Sequence, residues 1–131
     1  MSFFDLSIII STFFIIPIMM IVFGVLWRKG GPKKINDLYG YRTTRSMASR
    51  EAWDFAHIYS GKLFLIIGIS QLILLVPICV YYWSFDDALV GTVPLIVLTI
   101  QMFLFILIIP MTELALKKNF DKNGKYVTKQ K

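Results

Sequence analysis

Cysteine, histidine and early positive charge are what this 131-residue sequence has least of: one Cys, one His, and no Lys or Arg ahead of the first apolar run. Cys79 alone excludes an intramolecular disulfide framework, and with His57 as the lone histidine no typical structural zinc set can be assembled. No metal or cofactor is therefore expected. A secretory signal peptide would carry basic residues before its apolar stretch, which residues 1–5 lack, and the run that follows is longer than a signal's apolar core. That run is expected to be retained as a span. No nucleophile stands beside a base, no catalytic pair of carboxylates is visible and no phosphate-cradling loop occurs, so enzyme chemistry is not expected.

Charge is also absent from three long stretches, 6–26, 63–83 and 89–112, of 21, 21 and 24 residues. At ~1.5 Å rise per residue each is long enough as a helix to cross a ~30 Å hydrocarbon core. With 56% hydrophobic residues and a mean hydropathy of +0.67, the chain is more apolar than an ordinary soluble domain. The expected fold is an all-α membrane protein with three transmembrane helices, forming a single membrane domain over 1–131.

The positive charge is confined to two places. Residues 28–62 hold eight basic residues against three acids, and the tail 117–131 holds six lysines against Asp121. The link 84–88 has no basic residue and carries Asp86 and Asp87. The positive-inside rule then puts the loop 28–62 and the tail in the cytoplasm, and the link and the N-terminus outside. Trp27 and Trp83 stand at span ends, where amphipathic rings favour the headgroup layer. Topology thus accounts for the net charge of +6: anionic lipid headgroups are the expected partners, nucleic acid is not.

Within the spans, Gln71 and Gln101 would lie at similar depth if the second and third helices pair as a hairpin. A contact between them is expected, either as an interhelical hydrogen bond worth ~0.6–2 kcal/mol or as a polar lining for a substrate or peptide. Pro17, Pro77 and Pro94 are candidate kinks. Gly24, Gly61 and Gly68 are candidate points of close helix approach, Cys79 reads as an inert thiol, and Glu113 with Lys117 reads as a helix-end ion pair.

The loop is the most informative segment. After Gly30, Gly31 and Pro32 it runs Asn36, Asp37, Leu38, Tyr39, Gly40, Tyr41, Arg42, Thr43, rich in turn formers and aromatics, and is expected to be ordered. Ser49 is a plausible N-cap and Glu51 suits a first turn, so a short interfacial helix over 52–59 is expected to lead through Gly61 into the second span. On it Trp53, Ala56 and Ser60 share a face with His57 adjacent, and the Trp53 and Phe55 rings are expected on the membrane surface or the bundle end. Arg42 can bind phosphate or carboxylate, with Asn36, Thr43 and His57 completing a site, or can simply pair with Asp37, Glu51, Asp54 or a phospholipid and fix the loop. The tail, with five of its six lysines along a polar stretch, reads as solvated or drawn to lipid, and its removal is expected to be tolerated.

The run Asn36, Gly40, Arg42, Thr43, then Ser49, Trp53, His57 and Gly61 resembles the signature of the SdpI family of bacterial membrane proteins. The resemblance covers the first loop, the start of the second span and the three-span layout, and the chain corresponds to the signature-bearing portion of the family's founding member. It implies residence in the bacterial cytoplasmic membrane, a binding motif of Asn36, Gly40, Arg42, Thr43, Trp53, His57 and Gly61, and immunity to a membrane-active peptide toxin. It also implies signalling through a cytoplasmic regulator. The alternative is a small transporter or channel subunit, which would need oligomerisation, since the spans offer two glutamines and no charged residue.

Overall fold

The computed structural model describes residues 3–83 and 91–127. Three helices account for most of them: α1 (Phe3–Trp27), α2 (Arg50–Trp83) and α3 (Thr92–Asn119). Each contains a stretch long and apolar enough to cross a membrane. The expected link 84–88 and the first two residues of the third apolar run lie outside the described residues, as do the Tyr82 and Trp83 side chains.

Helix α2 has 34 residues, about 51 Å at ~1.5 Å per residue, well beyond the ~30 Å that hydrocarbon requires. The short helix read over 52–59 is the start of α2 itself, whose first 13 residues precede the uncharged run. They continue without a break into the membrane run, because Ser60 and Gly61 leave the backbone ladder intact: Ser60 Oγ donates to the Ala56 carbonyl at 2.7 Å. The projecting turns, the loop 28–49 and the end of α3 together form a small folded layer at one end of the bundle.

Three clusters run along the bundle axis. Ile9, Phe13, Leu75 and Val97 pack at one end, Met20, Phe64 and Ile108 in the middle, and Tyr41, Ala52, Ala56, Leu116 and Phe120 in the loop layer. The perimeter is hydrocarbon, with Ile66, Ile73, Leu95 and Phe103 each more than 60% exposed. Such a surface needs lipid around it. Lipid tails are as apolar as leucine, so the helices are held by close packing rather than by the hydrophobic effect. The α1–α2 seam supplies it: a Cβ on Gly24 would lie 2.5 Å from Leu65 Cγ, and one on Gly61 3.1 Å from the Trp27 backbone. Gly68 abuts Met20 and the Pro17 carbonyl in the same seam. Pro94 falls in the first turn of α3, where a missing N–H breaks no bond and forces no kink. Pro110 lies inside α3, a position the sequence reading passed over.

The tail departs from expectation. Phe120 is 2% exposed, packs edge-on against Phe55, and bridges to Tyr126. The turn between them places Gly124 under the start of α2, where its carbonyl accepts from Ser49 Oγ at 2.6 Å. Lys122 and Lys125 do remain exposed, but the segment up to Val127 is folded onto the loop layer because Phe120 is buried there against Phe55.

Candidate functional site

The loop layer is assembled around His57, which is fully buried. Its Nε2 accepts the Tyr41 backbone N–H at 2.8 Å, and its Nδ1 lies 2.7 Å from the Trp53 carbonyl. A nitrogen that accepts from an amide carries no proton, so the other one donates and the imidazole is the neutral Nδ1–H tautomer. His57 thereby ties the loop to the helix.

Trp53 backs this bond. Its ring centroid lies 4.4 Å from that of His57, and its Nε1 donates to the Pro32 carbonyl at 3.1 Å. The ring is 0% exposed, so of the two places expected for it, membrane surface or bundle end, it takes the bundle end: the face shared by Trp53, Ala56 and Ser60 is covered by the chain's own loop. Two glycines make that cover close. A Cβ on Gly31 would lie 2.6 Å from Trp53 Nε1, and one on Gly40 2.7 Å from His57 Nε2. Gly40 also has φ +113°, a conformation that side chains resist. Phe55, the other expected surface ring, stacks on Tyr59 and meets Phe120.

The remaining motif residues hold the loop's own turns. Asn36 Oδ1 accepts from the Leu38 and Tyr39 amides, both at 2.9 Å, an Asx arrangement that fixes the bend. Thr43 and Ser46 exchange reciprocal bonds: Thr43 N–H donates to Ser46 Oγ at 2.8 Å, and Ser46 N–H to Thr43 Oγ1 at 3.1 Å. Ser49 caps α2 as expected, accepting from the Ala52 amide at 3.0 Å. Arg42 is exposed and donates to the Asp37 backbone carbonyl, pairing with none of the carboxylates considered for it. Gly61 sits apart from this group, in the seam with Trp27.

Three contributors escaped the sequence reading. Arg50 pairs with Asp54 at 3.0 Å and donates to the carbonyls of Pro32 and Lys33, lashing the loop to α2; its i, i+4 spacing to Asp54 was a readable signal. Ser46 is fully buried, with no pattern to mark it. Tyr41 reaches across to α3, where its hydroxyl lies 3.1 Å from both Glu113 Oε1 and the Ile109 carbonyl and shares its one proton between them. Burial first, and then the Glu113 carboxylate, push that hydroxyl above its ordinary value. Glu113 is therefore engaged with the loop and not with Lys117.

What this layer presents outward around residues 33–42 is mostly apolar and basic, with Asp37 exposed among them. Leu38 is 84% exposed and Tyr39 64%, beside exposed Lys33, Lys34 and Arg42. Beneath Tyr39, a recess of about 300 Å³ lies between the end of α1 and the loop, walled by Phe23, Trp27, Gly31 and Gly40. Among the described residues no cluster of His, Cys, Asp and Glu is arranged to hold a metal.

Within the bundle, Gln101 Nε2 donates to the Phe13 carbonyl on α1 at 2.8 Å. The expected Gln71–Gln101 hydrogen bond does not form, because the rotation of α3 aims Gln101 at a backbone acceptor on α1. Both Gln71 amide atoms and Gln101 Oε1 are buried without a partner, and both residues line one cavity between α2 and α3.

Residues 33–112 match the SdpI/YfhL protein family, a stretch that includes the loop motif, α2 and most of α3. The uncharacterized protein YfhL of Bacillus subtilis (strain 168) is similar, 39% identical over 77 residues that cover 47% of this chain and 70% of that protein. No solved structure matches the chain.

Proposed function

The chain belongs to the SdpI/YfhL protein family, and from that premise we propose that it protects a bacterium against a membrane-active peptide toxin. It does so in the cytoplasmic membrane, with the loop layer on the cytoplasmic side. The observation that carries the reading is how the motif is spent. Asn36, Thr43, Trp53 and His57 hold the loop in one shape, and that shape offers Leu38, Tyr39 and Arg42 outward. A fixed apolar-basic surface at the membrane boundary suits binding of a peptide or of a cytoplasmic regulator, since a preordered surface loses little entropy on association. Its exposed lysines and Arg42 also suit anionic headgroups. In this reading the protein binds and does not catalyse, and nucleic acid is not a partner.

The test is survival of a sensitive strain challenged with a panel of membrane-active peptides, comparing cells that express the wild type with equally expressed Leu38→Asp and Tyr39→Ser variants. Both positions are exposed, so the fold should be kept. Protection by the wild type, reduced several-fold in the variants, is expected. A wild type that protects against no peptide in the panel overturns the immunity reading.

A further inference from the structure

The cavity between α2 and α3 has a volume of about 160 Å³. Leu75 and Val97 form buried wall, while Leu74 and Ile100, 64% and 54% exposed, stand at its lipid-facing rim. Gln71 and Gln101 complete it, 6% and 2% exposed. No ionisable side chain lines it. Gln71 is twelve residues from the end of α2 at Trp83, roughly 18 Å along the helix, and so lies deep in the hydrocarbon.

Amides at that depth have no bulk water to satisfy them, and a bare buried amide is unfavourable unless something pairs with it. Gln101 has paired one donor with the Phe13 carbonyl; its Oε1 and the whole Gln71 amide have not. The unfilled set is a donor group and two acceptors. A complement must therefore both donate and accept, and must be uncharged. Ester and ketone carbonyls accept only. Phospholipid headgroups are charged and remain at the interface. The volume is close to the ~150 Å³ of an apolar cavity that takes a benzene ring.

We propose that this cavity binds a small, uncharged, bilayer-dissolved amphiphile, a ring-sized apolar body with one carboxamide or hydroxyl group, which pairs with Gln71 and Gln101. The Gln71 amide and Gln101 Oε1 are both covered by the protein, so binding turns the Gln71 side chain about its own torsions toward the cavity and uncovers Gln101 Oε1 beside it. The site is independent of the peptide-protection reading, and either can fail without the other.

The experiment uses the full chain in lipid nanodiscs with 15N-labelled glutamine side chains, titrated with benzamide, with acetophenone as an acceptor-only control and toluene as an apolar one. Saturable shifts of the Gln71 amide resonances with benzamide are expected, at least tenfold weaker in apparent affinity with acetophenone and absent with toluene. Ile100→Trp, which caps the rim and leaves both amides in place, should abolish the shift. Gln71→Leu should abolish the benzamide effect on the Gln101 resonances while its Tm stays equal to or above that of the wild type. Equal responses to benzamide and toluene, no saturation, or a fall in Tm for Gln71→Leu would each overturn the proposal, the last because it would reveal a structural partner for the amide.

Discussion

The loop layer and the middle of the α2–α3 seam treat polar side chains in opposite ways. In the loop layer, Asn36, Thr43, Ser46, Ser49, Trp53 and His57 all have hydrogen-bond partners within the chain, and among the described residues there Asp54 Oδ1 is the one buried side-chain polar atom left bare. In the seam, three of four glutamine amide atoms are bare. The first region lies next to water, where unpaired groups cost least, yet it leaves few. The second lies in hydrocarbon, where they cost most. A region that pairs its polar groups despite having water at hand is built to hold a shape, and one that leaves amides bare in lipid keeps them for a partner.

This contrast can be broken by substitution. The largest effect is expected for Trp53→Ala, which removes the ring behind the His57–Tyr41 bond at a cost of roughly 3–5 kcal/mol; denaturant titration in detergent, followed by Tyr and Trp fluorescence, would measure it. Next comes Phe120→Ala, expected to cost about 3 kcal/mol by emptying the contact between the tail and α2. The sequence alone anticipated a dispensable tail, so a loss below roughly 1 kcal/mol would restore that view. The two glutamines should then separate from each other. Gln101→Leu removes the hydrogen bond to the Phe13 carbonyl and should lower stability by about 1 kcal/mol, whereas Gln71→Leu removes an amide with no partner and should leave Tm unchanged or raise it. Similar losses at both positions would mean that the seam is as fully paired as the loop.

The three spans were legible because absence of charge over 21 or more residues is a signal that needs no tertiary knowledge. That Trp53, Ala56 and Ser60 share one face of early α2 was legible too, since they recur at helical spacing. What covers that face was not: a tryptophan near a span end ordinarily anchors in headgroups, and nothing local indicates that Gly31 and Gly40, 22 and 13 residues upstream of Trp53, close over it. Gln101 was misjudged for a related reason. Its partner is the Phe13 carbonyl on α1, the acceptor that a backbone N–H at position 17 would serve if that residue were not proline; the proline marks the carbonyl, but nothing local says that α3 reaches it. In the tail, six lysines concealed Phe120, whose burial depends on where the loop layer stands.

The claim that the motif holds the loop in one shape is tested most directly by amide hydrogen exchange of the wild type and His57→Ala in lipid nanodiscs. The backbone N–H groups of Leu38, Tyr39, Tyr41 and Thr43 are all bonded to side chains, and the account predicts that they exchange far more slowly than that of exposed Lys122. In His57→Ala the protection at Tyr41 should be lost first. If these four amides exchange as fast as Lys122 in the wild type, the loop is not held by these bonds, and the account of the motif is wrong.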